Sequence, residues 1–134
     1  MQTPAQNGTK RVSINSELDV IVARLRTREI ARDIGFNTID QARISLAAGE
    51  LARLLAQAMG EQREIIISGI RKAEQLGIQV LGIHCPGALN GRSNGHSGNG
   101  YVPNNTQMRS LVDEYSFEDK GALGTHITLM KWLS

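Results

Sequence analysis

Residues 16–58 hold two long stretches of helical hydrophobic spacing in direct succession, separated only by Gly35, Phe36 and Asn37. That pairing constrains the fold more than any other feature, because both helices must bury an apolar stripe against whatever the rest of the chain makes. Ser16 with Asp19 three residues on is a capping pattern, and a helix follows to Ile34, where Gly35 supplies a left-handed stop. Thr38 with Gln41 repeats the pattern. The second helix is predicted over 39–58, with Ile39, Ala42, Leu46, Leu51, Leu54, Leu55 and Ala58 on one broad face and Gly60 closing it.

The remaining apolar segments read as strands. "KRVSIN" (10–15) alternates Val12 and Ile14 with polar neighbours, and "REIIISGI" (63–70) and "IQVLGIHC" (78–85) are β-branched runs joined by "RKAEQLG". Residues 87–106, "GALNGRSNGHSGNGYVPNNT", have no hydrophobic period and read as a long flexible loop. Met108, Leu111, Val112 and Tyr115 then recur at helical spacing, "DKGALG" is a turn, and "THITLMKWL" (125–133) is a closing strand. The resulting order, β-α-α-β-β-loop-α-β-β, implies an α/β two-layer sandwich in which a mixed sheet is covered on one face by helices. A length of 134 residues suits one such domain over 10–134, after a polar and disordered stretch at 1–9.

Composition narrows the partners. The net charge is +2 with no dense basic face, which argues against nucleic acid. Apolar runs such as Ile65 to Ile67 are too short for a membrane span, and "MQTPAQNGTKRVSI" lacks the apolar centre of a signal peptide. Cys85 is the one cysteine, so an intramolecular disulfide is excluded and a reducing cytoplasm is the expected location. His84, Cys85, His96 and His126 match no zinc spacing, so no metal site is expected. Arg24, Arg28 and Arg32 recur every fourth residue as a positive stripe on the first helix, ordinarily a solvated face and here a candidate contact for an acidic partner.

The segment "ELDVIVARLRTREIARDIGFNTIDQARISLAAGELAR" resembles the first half of the bacterial anti-sigma-factor serine/threonine kinases, in particular the RsbT-like switch kinases released by the stressosome. "MRSLVDEYSF" is similar to that family's last helix and "GTHITLMKW" to its last strand, so the resemblance spans residues 11–133. It implies the Bergerat fold of the histidine-kinase-like (GHKL) ATPase superfamily and a Mg-ATP cofactor. In that superfamily one helix carries a Glu that polarises the attacking group and, four residues on, an Asn that binds magnesium. An Asp-x-Gly-x-Gly segment holds adenine, and a glycine-rich lid wraps the phosphates with backbone N–H groups.

By that resemblance Glu50 is the candidate catalytic base and Arg53, which also matches the family, a second candidate catalytic residue, while Leu54 stands where magnesium-binding Asn belongs. Ile83 replaces the adenine Asp, Cys85 the first glycine, and Gly87 keeps the second. In the lid Gly100 is kept but Val102 and Asn104 replace glycines, and Gly124 and Thr125 match the family's Gly-Thr pair. Leucine offers no oxygen to a hard cation. A hydrogen bond to a charged group is worth about 1.5–3 kcal/mol, so losing the Asp alone weakens binding roughly ten- to hundredfold. ATP and magnesium binding are therefore disfavoured. The reading that follows is a partner-switching regulator that binds a STAS-domain antagonist and a PP2C-type phosphatase without nucleotide. Its alternatives are an active kinase phosphorylating that antagonist, and a structural homodimer.

Overall fold

A computed structural model of the chain describes residues 8–58, 62–85 and 106–133. Strand β1 (Thr9–Ser13) leads into helices α1 (Glu17–Ile34) and α2 (Thr38–Gln57), followed by strands β2 (Gln62–Lys72) and β3 (Gln75–Cys85). A short helix α3 (Thr106–Ser110), strand β4 (Glu114–Asp119), a 3-10 turn (Gly121–Leu123) and strand β5 (Thr125–Trp132) complete it. The architecture is the expected two-layer α/β sandwich.

The sheet runs β1-β2-β3-β5-β4, and each neighbouring pair is antiparallel, so it is not the mixed sheet expected. The reason lies in the connections. Parallel neighbours need a crossover of a dozen or more residues, whereas β2 turns into β3 through Ala73 and Glu74 alone, and β4 turns into β5 through a single 3-10 turn. Ala73 takes a left-handed φ of 57° there, an uncommon conformation for a residue with a side chain. Both β2 and β3 extend further into the hairpin than "RKAEQLG" as a linker implied. β1 likewise begins at Thr9, which pairs with Ser68, so the ordered chain starts before residue 10.

Helix α1 starts as anticipated: the Asp19 carboxylate accepts from the backbone N–H groups of Asn15 and Ser16, and Gly35 ends the helix at φ 116°. Helix α2 is capped one residue earlier than expected. Asn37 Oδ1 accepts from Asp40 N at 2.8 Å, while Gln41 reaches back to the Phe36 carbonyl. Its C-terminus is closed from outside the helix by Arg63, whose Nη1 donates to the Ala58 carbonyl at 2.9 Å. Gly60 and the segment 86–105, with the expected loop, lie outside the described residues.

Alternation decides which sheet face is buried. Val12, Ile65, Ile67, Ile78, Val80, Ile127 and Leu129 point to one side, where Val20, Ala23, Ile30, Ile44, Leu51 and Leu55 of the helices cover them. Lys131 lies on that side too, buried between Asp40 of α2 at 3.6 Å and Asp113 at 3.9 Å, and so ties the first turn of α2 to the sheet. Only Met108 of the expected last helix is helical and buried; Leu111 and Val112 form a turn, and Tyr115 sits on β4. The Arg109 guanidinium lies 4.7 Å from the Tyr115 ring centroid.

The seating of α2 on β3 sets a test. Leu51 is fully buried directly above Gly82 of β3, where an added Cβ would approach its side chain to 3.0 Å. Leu51→Ala is expected to lower stability by about 2–5 kcal/mol, and Gly82→Ala by a smaller amount through crowding. Combined, the new methyl fills part of the vacated space, so the double variant in urea denaturation should lose about 0.5–1 kcal/mol less than the sum. Strict additivity would contradict this packing.

Candidate functional site

The seating of Leu51 on Gly82 brings the middle of α2 over β3, whose end meets Gly124. Asp40, Ala47 and Leu54 are seven residues apart and share one flank of α2, the flank whose Asp40 meets Lys131 of β5. Leu54 is partly buried there and packs against the core. A side chain of pure hydrocarbon occupies the position, and no oxygen is offered to a cation.

Glu50, one turn earlier, is part-exposed. Its Oε2 lies 3.6 Å from Arg53 Nη1, and Arg53 Nη2 lies 3.9 Å from Glu17 Oε1 of α1. The carboxylate thus takes part in a surface ion-pair chain that links the two helices, an arrangement worth little to stability. The structure joins Glu50 and Arg53 and leaves the candidate base facing a cation of the protein itself.

At the strand end, the register places Ile83 opposite Glu64 of β2 and His126 of β5. All three belong to the sheet surface turned away from the helices, because their neighbours Ile65, Gly82 and Ile127 face inward. Ile83 therefore does not point toward α2. His84 and Thr125, paired with each other, lie on the helix side. Gly124 and Thr125 are brought against the end of β3: Gly124 has φ 96°, and a Cβ on it would come within 2.4 Å of the His84 carbonyl. Cys85 Sγ donates to the Leu123 carbonyl at 3.4 Å, a structural contact in keeping with a small apolar residue at a strand end. Gly87, Gly100, Val102, Asn104 and His96 lie outside the described residues. Among the described residues no three His, Cys, Asp or Glu side chains gather as a metal site would require, and no helix is long and apolar enough to cross a membrane.

Arg24, Arg28 and Arg32 are all exposed on α1, and none forms an ion pair among the described residues. The stem of Arg24 crosses α2 at Gly49, where the missing side chain leaves it room. Sequence reasoning overlooked the outer ridge of Leu18, Ile21 and Leu25 on the same helix. Their spacing of three and four is a legible helical signal, but Val20, Ala23, Thr27 and Ile30 carry the same period and win the core.

No protein-family model matches the sequence. Among curated proteins, the chain is 31% identical over 132 residues to the serine/threonine-protein kinase RsbT of Bacillus subtilis (strain 168), a match covering 95% of this chain and 98% of that protein.

The two glycines flanking the 3-10 turn separate backbone strain from close approach. Gly121 has φ 60° with nothing within 4 Å of a Cβ, so Gly121→Ala should cost about 1 kcal/mol from left-handed strain alone. Gly124→Ala adds a collision with the His84 carbonyl and should cost at least about 2–3 kcal/mol, lowering the melting temperature by several degrees more. Equal melting temperatures for the two variants would show that the turn does not press on β3.

Proposed function

The chain belongs to the RsbT-like family of bacterial anti-sigma-factor serine/threonine kinases, and from that premise we propose that it acts as a partner-switching regulator whose output depends on binding more than on phosphorylation. It holds a STAS-domain antagonist in one state and a PP2C-type phosphatase in the other, and switching requires only a difference in affinity between them. Nucleotide binding is weak or absent, which makes the chain a pseudokinase in this reading.

The observation that carries the proposal is Leu54. It stands where the family resemblance calls for an amide oxygen on magnesium, and it packs, partly buried, against the core instead. Phosphoryl transfer depends on positioning and charge neutralisation, and a base without a metal partner contributes little to either. Glu50 is further occupied by Arg53 at 3.6 Å. The described residues do not fit a magnesium–triphosphate group.

Retention of Glu50, Gly124 and Thr125 supports the competing reading, an active kinase with an altered site. Differential scanning fluorimetry with millimolar Mg-ATP and Mg-ADP separates the two. A ligand at a hundred times its dissociation constant adds about 2.7 kcal/mol, which raises the melting temperature of a chain this size by several degrees. The proposal expects no shift. A clear shift, followed by phosphate on a serine of a STAS-domain protein, would replace it with the kinase.

A further inference from the structure

The outer face of α1 is divided along its length. At the N-terminal half of α1, Leu18, Ile21 and Leu25 are 66%, 50% and 53% exposed, and Leu46 of α2 is 46% exposed. Spaced three and four residues apart, the α1 leucines and isoleucine form one continuous ridge, since such positions lie above one another on a helix. At the C-terminal half, on the same outward side, stand Arg28 and Arg32, with Arg24 leaning into the groove toward α2. From Leu18 to Arg32 the surface measures about 21 Å at helical rise. Of the carboxylates of α1, Glu17 pairs with Arg53, Glu29 with Arg26 and Asp19 with the backbone at the helix start, while Asp33 is exposed next to Arg32.

We propose that this face of α1 is a docking surface for a partner protein that presents apolar side chains followed by carboxylates along one helix or strand. Charge decides the occupant. Three guanidinium groups without ion-pair partners among the described residues sit beside exposed hydrocarbon, and a surface of matching apolar and acidic character neutralises both at once. A second copy of this chain fits less well, because the carboxylates Glu17, Glu29 and Asp33 that it brings along α1 each stand beside an arginine of its own, Arg53, Arg26 and Arg32 respectively. An anionic membrane fits poorly as well. An interfacial helix needs apolar residues along its whole length with basic groups at their sides, whereas here the two characters lie end to end. Arginine at the basic end also favours paired, bidentate contact with carboxylates.

The inference rests on the partner-switching reading, but its test does not use the natural partner. The isotope-labelled full chain is titrated, with amide NMR as readout, against a helical peptide of about 15 residues bearing leucines on one face and glutamates beyond them on the same face. An isomer with lysine in place of glutamate and vesicles of phosphatidylglycerol are the comparison titrants. The glutamate peptide is expected to shift resonances between Leu18 and Arg32 and at Leu46, and the lysine isomer is not. Arg28→Glu combined with Arg32→Glu should weaken the glutamate peptide at least about tenfold while leaving the melting temperature unchanged. Leu18→Ser with Leu25→Ser should weaken both peptide and ridge perturbation. Silence at those resonances, equal binding of the lysine isomer, or binding by vesicles alone would overturn the proposal. A chain that passes this test yet holds no STAS-domain protein would lose the partner assignment and keep the surface; the opposite pair of results would do the reverse.

Discussion

Leu51 resting on Gly82 is the contact on which the remaining geometry depends. A glycine in the middle of a β-branched strand weakens that strand, and it is tolerated here because it lets a helix approach until a leucine fills the gap. That approach fixes the height of α2 over the sheet and the position of Glu50 and Leu54 relative to the end of β3. It also commits the sheet to one buried side, since Ile65 and Ile127 flank Gly82 in register and close around the same leucine.

With the layers fixed this way, scaffold and chemistry can be considered separately. Gly124 still presses against the His84 carbonyl, Arg63 still closes α2, and Lys131 still ties α2 to β5 between two aspartates. These contacts serve the fold. The positions that the family resemblance assigns to nucleotide are different in kind: Leu54 is hydrocarbon, Ile83 faces away from the helices, and Glu50 lies beside Arg53. A shape can outlast its chemistry because packing depends on volume and periodicity, while ion and base recognition depend on a few oxygen atoms at set places. Meanwhile the exposed ridge and arginines of α1 are features that packing does not explain.

Much of this was legible in the residues, and the exceptions have physical causes. The caps at Ser16 and Gly35, the inward alternation of Ile65 and Ile67, and the pairing of Glu50 with Arg53 all follow from local spacing that tertiary structure leaves intact. Asn37 was passed over for Thr38 because both cap well and only backbone geometry separates them. The β2–β3 hairpin was hidden because its turn uses Ala73 and Glu74, neither of which signals a tight turn. Met108 to Tyr115 satisfied a helical period by coincidence. The alternation of Tyr115 and Phe117 was the competing signal, decided by the edge position beside β5. Ile83 was read as standing in place of the adenine Asp, and the sheet face it occupies depends on register, which no single strand reveals.

The account makes partner binding independent of nucleotide. Isothermal titration of a STAS-domain antagonist into the full chain, with and without Mg-ATP and followed by mass spectrometry of the antagonist, measures this directly. It predicts the same dissociation constant in both conditions and an antagonist of unchanged mass. An affinity that changes on adding nucleotide, or a phosphoserine on the antagonist, would contradict it.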